Sequence, residues 1–384
     1  MKFILVDIPD RIHFFPFSHT RSIVEFKVGI FSIKKRWELL LESQTDVYTT
    51  NELQELYTLD LAKEEPCIYI NPTVFPTNEI VHAIKALQLD DKLIHQSGKW
   101  IASHSKEMQF TKILLGKNEP VVLQKADFFK DTYDLLKWNA RCILSDFEMI
   151  RSKGTSEKLD DSNRAVNVDQ IYIEPGAQIT CANLNASEGP IYIGKNAVIM
   201  EGASLRGPIV IGERSVVKMN AAIYGATSVG DKCQVGGEVK NSIILGYSNK
   251  GHDGYLGDSI IGFWCNIGAG ACNSNIKNTA SDIQMWNEHE QNWQSVGTKM
   301  GMMMGDYSRL AILSRVNTGS YIGVSANVFG QGLLPKHLPD FTWGTTLGYQ
   351  LDKALEDINN WMVLKGENLT NAQKKVLTRL FERH

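Results

Sequence analysis

The chain from residue 191 to residue 240 reads IYIGKNAVIMEGASLRGPIVIGERSVVKMNAAIYGATSVGDKCQVGGEVK. Within it an aliphatic residue recurs at every sixth position: Ile193, Ile199, Leu205, Ile211, Val217, Ile223, Val229 and Val235. Helices repeat every 3.6 residues and strands every 2, so a sustained period of six is not ordinary amphipathicity. The period instead predicts a solenoid of short parallel strands, in which one side chain of each hexapeptide points inward.

The same six-residue phase extends beyond this stretch in both directions. It is present at Ile173 and Ile179, and it returns from Ile261 to Ile267 and again from Met304 to Val328. We therefore predict a β-helical domain over residues 167–338. The repeat resembles that of the hexapeptide-repeat acyltransferases. That resemblance implies a left-handed parallel β-helix, although crossover connections are usually right-handed.

The segments on either side of the repeat lack the period of six. Residues 1–150 alternate strand-like and helix-like patterns, which predicts an α/β domain. Residues 151–166 are rich in Lys, Ser, Asp and Asn and are expected to form a linker. Residues 339–384 carry two apolar stripes at helical spacing and predict a short helical tail. Residues 277–300 are polar and predict a loop or insertion on the β-helix surface.

Composition excludes several classes of protein. The 384 residues hold 40 basic and 43 acidic side chains, a formal net charge of −3 that argues against a nucleic-acid partner. No run of about 18 apolar residues is present, so we expect no membrane span. The six cysteines are dispersed without zinc-site spacing, so we expect no metal centre and free thiols in a reducing cytoplasm.

The period of six is lost between Lys240 and Asn275, where polar residues accumulate. The stretch reads GYSNKGHDGYLGD over residues 246–258 and NIGAG over residues 266–270. Because inward positions of a coil should be apolar, we expect this segment to lie on a surface face or in a loop. A neutral His252 there could accept a proton from an amine. Taken alone, the histidine fits a loop residue bonded to the backbone better than it fits a catalytic base.

The motif resembles the acetyltransferase half of the bacterial bifunctional N-acetylglucosamine-1-phosphate uridyltransferases. These enzymes acetylate glucosamine-1-phosphate with acetyl-CoA and then couple the product to UTP. The resemblance implies that His252 is the general base. It also implies that Tyr255 contacts the phosphate or sugar of the substrate, and that the backbone of Ala269 contacts acetyl-CoA.

Further substrate contacts follow from the same resemblance. Lys240, Asn266 and Asn275 fall on positions that bind the sugar phosphate, without a gap in the register. Three positions depart from the family pattern, and one of them is Ile276, which replaces the tyrosine beside the second asparagine. The phosphate-binding arginine of the family falls on Ala222, and a cofactor-contacting serine falls near Asp306, whose carboxylate would repel an anionic CoA.

The N-terminal domain resembles the opening of sugar nucleotidyltransferase domains at His19-Thr20-Arg21-Ser22, Lys27-Val28-Gly29 and Lys34-Lys35-Arg36-Trp37. Its first strand is followed by Asp7-Ile8-Pro9-Asp10-Arg11, which lacks the glycine that close approach to a phosphate requires. Arg21 and Lys27 are candidate phosphate or nucleotide contacts. Mg²⁺ would be needed only if this domain is catalytically active.

Three functions remain open on the sequence. The first is an acetyl-CoA-dependent acyltransferase acting on an amino-sugar phosphate or sugar nucleotide in the cytoplasm. The second is a sugar-1-phosphate nucleotidyltransferase whose β-helix is regulatory or structural, and the third is a non-enzymatic scaffold. The joint presence of His252, Tyr255, Asn266 and Lys240 argues against the third. The resemblance and the flat faces of such a coil also predict a homotrimer.

Overall fold

A computed structural model describes residues 1–8, 10–60, 65–152 and 154–383. Contacts divide the chain into two compact units. Unit 1 comprises Met1–Phe14, Thr20–Phe26 and Phe31–Asp134. Unit 2 comprises Phe15–His19, Lys27–Ile30 and Leu135–His384. The predicted fold class, an α/β domain followed by a parallel β-helix and a short helical tail, is confirmed.

Unit 1 is built on a six-stranded mixed sheet. In spatial order its strands are Thr45–Tyr48, Lys2–Val6, Cys67–Ile70, Trp100–Ser105, Lys92–His95 and Val121–Leu123. The first three are mutually parallel, and Trp100–Ser105 is antiparallel to both of its neighbours. Its helices are Ile33–Leu41, Asn78–Lys85 and Phe110–Leu115, and Thr132–Arg151 continues into unit 2. The helix at Asn78 begins as predicted, because the Thr77 hydroxyl accepts a hydrogen bond from the Ile80 N–H.

Unit 2 is a parallel β-helix of about ten coils with three faces. Face 1 comprises Arg164–Val166, Asn183–Asn185, Ser204–Arg206, Ala222–Tyr224, Glu238–Lys240 and Tyr255–Gly257. Face 2 comprises Ile171–Ile173, Ile191–Ile193, Ile209–Ile211, Thr227–Val229, Ile243–Ile244, Ile260–Ile261, Met302–Met304, Ser320–Ile322 and His337–Leu338. Face 3 comprises Gln178–Ile179, Val198–Ile199, Val216–Val217, Gln234–Val235, Asn249–Lys250, Asn266–Ile267, Arg309–Leu310, Asn327–Val328, Thr342–Trp343 and Thr346–Leu347.

The predicted inward residues form the core of this coil. The eight aliphatic residues from Ile193 to Val235 that mark the six-residue period are at most 1% exposed. Face 1 continues after Tyr255–Gly257 with Cys272–Asn273 and Arg315–Val316, which pair with each other. The polar segment after Lys277 forms an antiparallel hairpin of Gln284–Asn287 and Asn292–Ser295.

Two C-terminal helices, Leu351–Val363 and Asn371–Phe381, pack on the corner between faces 2 and 3. The corner residues Tyr247, Trp264 and Tyr307 have φ values of 64°, 62° and 64°, a left-handed conformation that turns the coil. Their rings share an apolar cluster with the helices, in which Ile358 is fully buried. The predicted helical tail therefore covers an aromatic ladder that the turns of the coil present.

Candidate functional site

His252 lies at the corner between faces 3 and 1. Its loop, residues 251–254, joins the face 3 strand Asn249–Lys250 to the face 1 strand Tyr255–Gly257. The loop lies against the preceding coil, where a Cβ on Gly237 would stand 2.8 Å from the carbonyl oxygen of His252. Glycine is thus required there, because a side chain would push the loop outward. The His252 side chain itself is exposed and can meet a ligand from solvent.

Tyr255 and Asn275 meet on face 1, beside that corner. A Cβ on Gly257 would clash with the Tyr255 hydroxyl, so the glycine allows the tyrosine ring to lie across the face. Tyr255 hydrogen-bonds the Asn275 side chain, and Asn275 also donates to the Asp258 Oδ2 at 2.5 Å. Burial raises the pKa of Tyr255, and the nearby carboxylates of Asp258 and Glu238 raise it further. The phenol therefore stays protonated and can donate a hydrogen bond.

Lys240 lies on the same face, one strand before Tyr255. Register pairs Lys240 with Gly257 and with Tyr224, and its Nζ stands 6.0 Å from the centroid of the Tyr224 ring. The Tyr224 hydroxyl donates to the Glu238 Oε1 at 2.5 Å, which raises the pKa of Tyr224 to about 12. The structure thus gathers Lys240, Tyr255 and Asn275 on one polar face, where a phosphate or sugar hydroxyl could be bound.

Asn266 lies elsewhere, on face 3. It pairs in register with Asn249 and Arg309, and its Oδ1 accepts a hydrogen bond of 3.5 Å from Asn249. Within one chain, the corner that carries His252 lies between Asn266 and Tyr255. The structure therefore does not place Asn266 in the polar set of face 1.

Ala269 occupies the same corner as His252, one coil later. The neighbouring Gly270 N–H donates to the Asp253 carbonyl at 3.0 Å, and the Ala269 carbonyl accepts from Leu313 at 2.8 Å. In the described part of the chain, no backbone acceptor takes the Ala269 N–H. This half-buried N–H is therefore available to a ligand bound beside His252.

The expectation that the whole polar stretch lies outside the coil is wrong at several residues, since Ser242, Ser248 and Ser259 are fully buried. Lys250 pairs with the inward residue Val235 and is 2% exposed, and Asn273 is 4% exposed. Asn273 uses its amide to accept from the Gly257 N–H at 2.9 Å and to donate to the Gly257 carbonyl at 3.0 Å. The sequence does not show that Lys250 and Asn273 are buried, because the period of six is lost in this segment. Counting six residues from Ile244, once that residue is known to be inward, places Lys250 inward.

The conflict expected between Asp306 and an anionic CoA is also wrong. Asp306 is fully buried at the corner between faces 2 and 3, and its Oδ1 accepts from the Phe263 N–H at 2.8 Å. Asp340 makes the same kind of contact with the Val324 N–H two coils later. Asp306 is thus a turn-stabilising carboxylate that lies at a different corner from His252.

The two basic residues proposed to contact a nucleotide are ion-paired. In unit 1, Arg21 bonds the Glu25 Oε2 at 2.8 Å, and in unit 2, Lys27 bonds the Asp231 Oδ1 at 2.6 Å. A different polar group lies at the carboxyl ends of the strands Lys2–Val6 and Cys67–Ile70 of unit 1. Open α/β sheets bind ligands at this edge. There the Asp10 Oδ2 accepts from Asn71, Thr73 and Lys99, at 3.0, 3.2 and 3.4 Å.

One group of side chains in the described ranges combines three residue types that ligate metals. His19, Glu288 and Asp340, all in unit 2, place their ligand atoms within 4.8 Å of one another. His19 Nε2 stands 2.7 Å from the Glu288 Oε1, which is the distance of a hydrogen-bonded ion pair. All six cysteines are free, and no described helix is both long and apolar enough to cross a bilayer.

Comparison with known proteins identifies a family over the N-terminal part of the chain. Residues 3–155 match the family described as sugar nucleotidyl transferase. A solved structure titled as the polySia specific acetyltransferase NeuO aligns with a TM-score of 0.28 and 10% identity. That alignment covers 53% of this chain and 93% of the other. No curated protein matches the chain. The family match confirms the predicted transferase class, through the sugar nucleotidyl transferase family over residues 3–155.

Proposed function

We propose that the corner between faces 3 and 1 transfers an acetyl group from acetyl-CoA to the amine of an amino-sugar phosphate or sugar nucleotide. The observation that carries the proposal is the position of an exposed imidazole, His252, directly beside the polar set of Tyr255, Asn275 and Lys240. A general base and a substrate-binding surface are thereby adjacent, as amine acylation requires.

In the proposed reaction the amine nitrogen attacks the thioester carbonyl while His252 takes up the proton that the nitrogen loses. The carbon–sulfur bond then breaks, and CoA leaves as the thiolate or thiol. The Ala269 N–H is available to donate to the carbonyl oxygen as negative charge develops on it. A positioned base typically contributes about 10²–10⁴-fold to the rate.

The acceptor is held in this proposal by face 1. The Lys240 ammonium binds the anionic phosphate, while Tyr255 and Asn275 donate hydrogen bonds to sugar hydroxyls. Ala222, which replaces the arginine of the resembled family, leaves phosphate binding to lysine. An ammonium supplies a point charge without a bidentate fork.

We propose that the working form is a cytoplasmic homotrimer. Apolar side chains are exposed at the same corner on either side of the His252 loop: Met219 is 61% exposed, Ile312 68% and Leu313 71%. Burial of these residues against a second copy would place the neighbour's surface beside His252, where Asn266 of another face could contribute. Sedimentation should give a trimer at micromolar concentration, and a stable monomer there contradicts the shared site.

The test is a thiol-release assay with acetyl-CoA against a panel of amino-sugar phosphates and amino-sugar nucleotides. We expect CoA release with at least one acceptor and none without an acceptor. N-acetylation of the product is confirmed by mass spectrometry. Absence of release across the panel contradicts the proposal.

A second activity, nucleotidyl transfer by unit 1, is favoured by the family match over residues 3–155. Such chemistry relies on positioning and charge neutralisation. The segment after the first strand has no glycine, and the Asp10 carboxylate is already occupied by three donors. Mg²⁺ can bind through one or two carboxylates together with substrate phosphates, so Asp10 is the residue that could hold it. We expect pyrophosphate release from UTP, dTTP or GTP with a sugar-1-phosphate to be well below the ~10 s⁻¹ typical of enzymes.

A further inference from the structure

Lys250 occupies a core position of the β-helix. The other inward residues of face 3 are aliphatic, and the column runs through Ile179, Ile199, Val217, Val235, Lys250, Ile267, Leu310 and Val328. Lysine is almost never fully buried unless its ammonium is paired. Since an aliphatic residue packs this position in every neighbouring coil, packing alone does not account for Lys250.

The buried ammonium hydrogen-bonds the loop that carries His252. Its Nζ donates to the Gly236 carbonyl at 3.0 Å and to the His252 carbonyl at 2.5 Å. Gly236 belongs to the preceding coil of the β-helix, where it follows the strand Gln234–Val235. The two bonds therefore connect the His252 peptide to that coil. A charged donor makes such bonds stronger than a neutral one would.

The charged and titratable groups near this ammonium come from three coils. Asp253 faces it from the same loop, and Cys272 faces it from the next coil. From two coils before, the stem of Lys218 lies beside Gly236 and Gly251. No ion pair to Lys250 is present within the described ranges, so its main partners are the two backbone carbonyls.

We propose that Lys250 is a positioning residue, whose ammonium holds the His252 peptide and thereby sets the direction of the imidazole at the acyl-transfer site. The catalytic consequence of this role rests on the proposed function. The two hydrogen bonds from Lys250, which we call the clamp, do not depend on it. Burial lowers the pKa of Lys250 to about 8. The clamp therefore weakens as pH rises through 8, because a neutral amine is a poorer donor.

The test uses Lys250→Met, which keeps an unbranched chain of similar length, with Ile267→Met from the same column as the matched control. Hydrogen exchange of the Glu238 and Gly270 amides, which donate to the Gly254 and Asp253 carbonyls of the loop, reports the clamp without any activity. We expect exchange at least tenfold faster in Lys250→Met and unchanged in Ile267→Met. In wild-type protein labelled at histidine, the His252 ring resonance should show a second transition near pH 8.

The effect of Lys250→Met on catalysis is measured in a separate experiment. Where wild-type protein transfers acetyl groups, Lys250→Met should lower kcat about 10–100-fold with little change in the KM for acetyl-CoA, as misorientation of a catalytic group does. Unchanged exchange in Lys250→Met, or a His252 resonance without the transition near pH 8, overturns the positioning role. Inactive wild-type protein with the expected exchange and resonance overturns the proposed function and leaves the clamp supported.

Discussion

Replacement of Lys250 by methionine should make the protein more stable at neutral pH, although most core substitutions destabilise. The position is flanked in its column by Val235 and Ile267, so an apolar side chain matches its surroundings. Methionine fills irregular core space readily because its chain is flexible. The variant removes a buried charge and adds no volume that the lysine stem does not already occupy.

The size of the gain follows from the lowered pKa of Lys250. Burial lowers its pKa from 10.5 to about 8. At about 1.4 kcal/mol for each tenfold change in proton affinity, the charged form costs roughly 3 kcal/mol relative to the unfolded chain. This shift is already net of the hydrogen bonds that the ammonium makes. Lys250→Met should then raise the free energy of unfolding by up to about 3 kcal/mol at pH 7.

The pH dependence distinguishes this cause from improved packing. Between pH 8 and 10.5 the unfolded chain keeps the Lys250 proton and the folded chain does not, so wild-type stability rises across that window relative to the variant. Denaturant unfolding of both proteins at several pH values measures the difference. The advantage of Lys250→Met should shrink above pH 8 and vanish by 10.5. A variant less stable than wild type at pH 7, or a difference that does not change with pH, would refute the reasoning.

Three further substitutions test other parts of the structure. Gly257→Ala should raise the acceptor KM with little effect on the KM for acetyl-CoA, because the added Cβ displaces the Tyr255 ring; equal effects on both substrates contradict the assignment. Asp306→Ala should cost about 1–3 kcal/mol of stability by leaving the Phe263 N–H unsatisfied. A changed KM for acetyl-CoA would instead show that Asp306 contacts the cofactor. Ile358→Ala should cost about 2–4 kcal/mol in denaturant unfolding; a smaller loss than 1 kcal/mol means that the C-terminal helix does not contribute to the core.

The architecture of unit 2 was predictable because the period of six reports a physical constraint that is repeated in each coil. Each inward side chain from Ile193 to Val235 faces the same narrow core, so the pattern survives without knowledge of the turns. The aromatic ladder at Tyr247 and Trp264 was not predictable. Non-glycine residues rarely adopt positive φ, so an aromatic residue does not by itself mark a left-handed turn in the sequence.

The candidate site was predictable in its residues and not in its layout. The motif identified Tyr255 and Asn275, which the structure joins by a hydrogen bond. It could not show that Asn266 lies on another face, because the spacing between inward residues shortens in this segment, as from Val235 to Val239 and from Val239 to Ile244. Nor did it reveal Lys250, since a lysine beside polar neighbours is normally solvated.

The most direct test of the central claim compares CoA release by wild-type protein, His252→Ala and His82→Ala. His82 is an exposed histidine on a helix of unit 1 and serves as the control. Each protein is assayed with acetyl-CoA and the best acceptor of the panel, after circular dichroism shows that the fold is retained. We expect His252→Ala to lose about 10²–10⁴-fold in kcat, the typical contribution of a general base, while His82→Ala stays at the wild-type rate. Full turnover by His252→Ala would contradict the proposed mechanism at its centre.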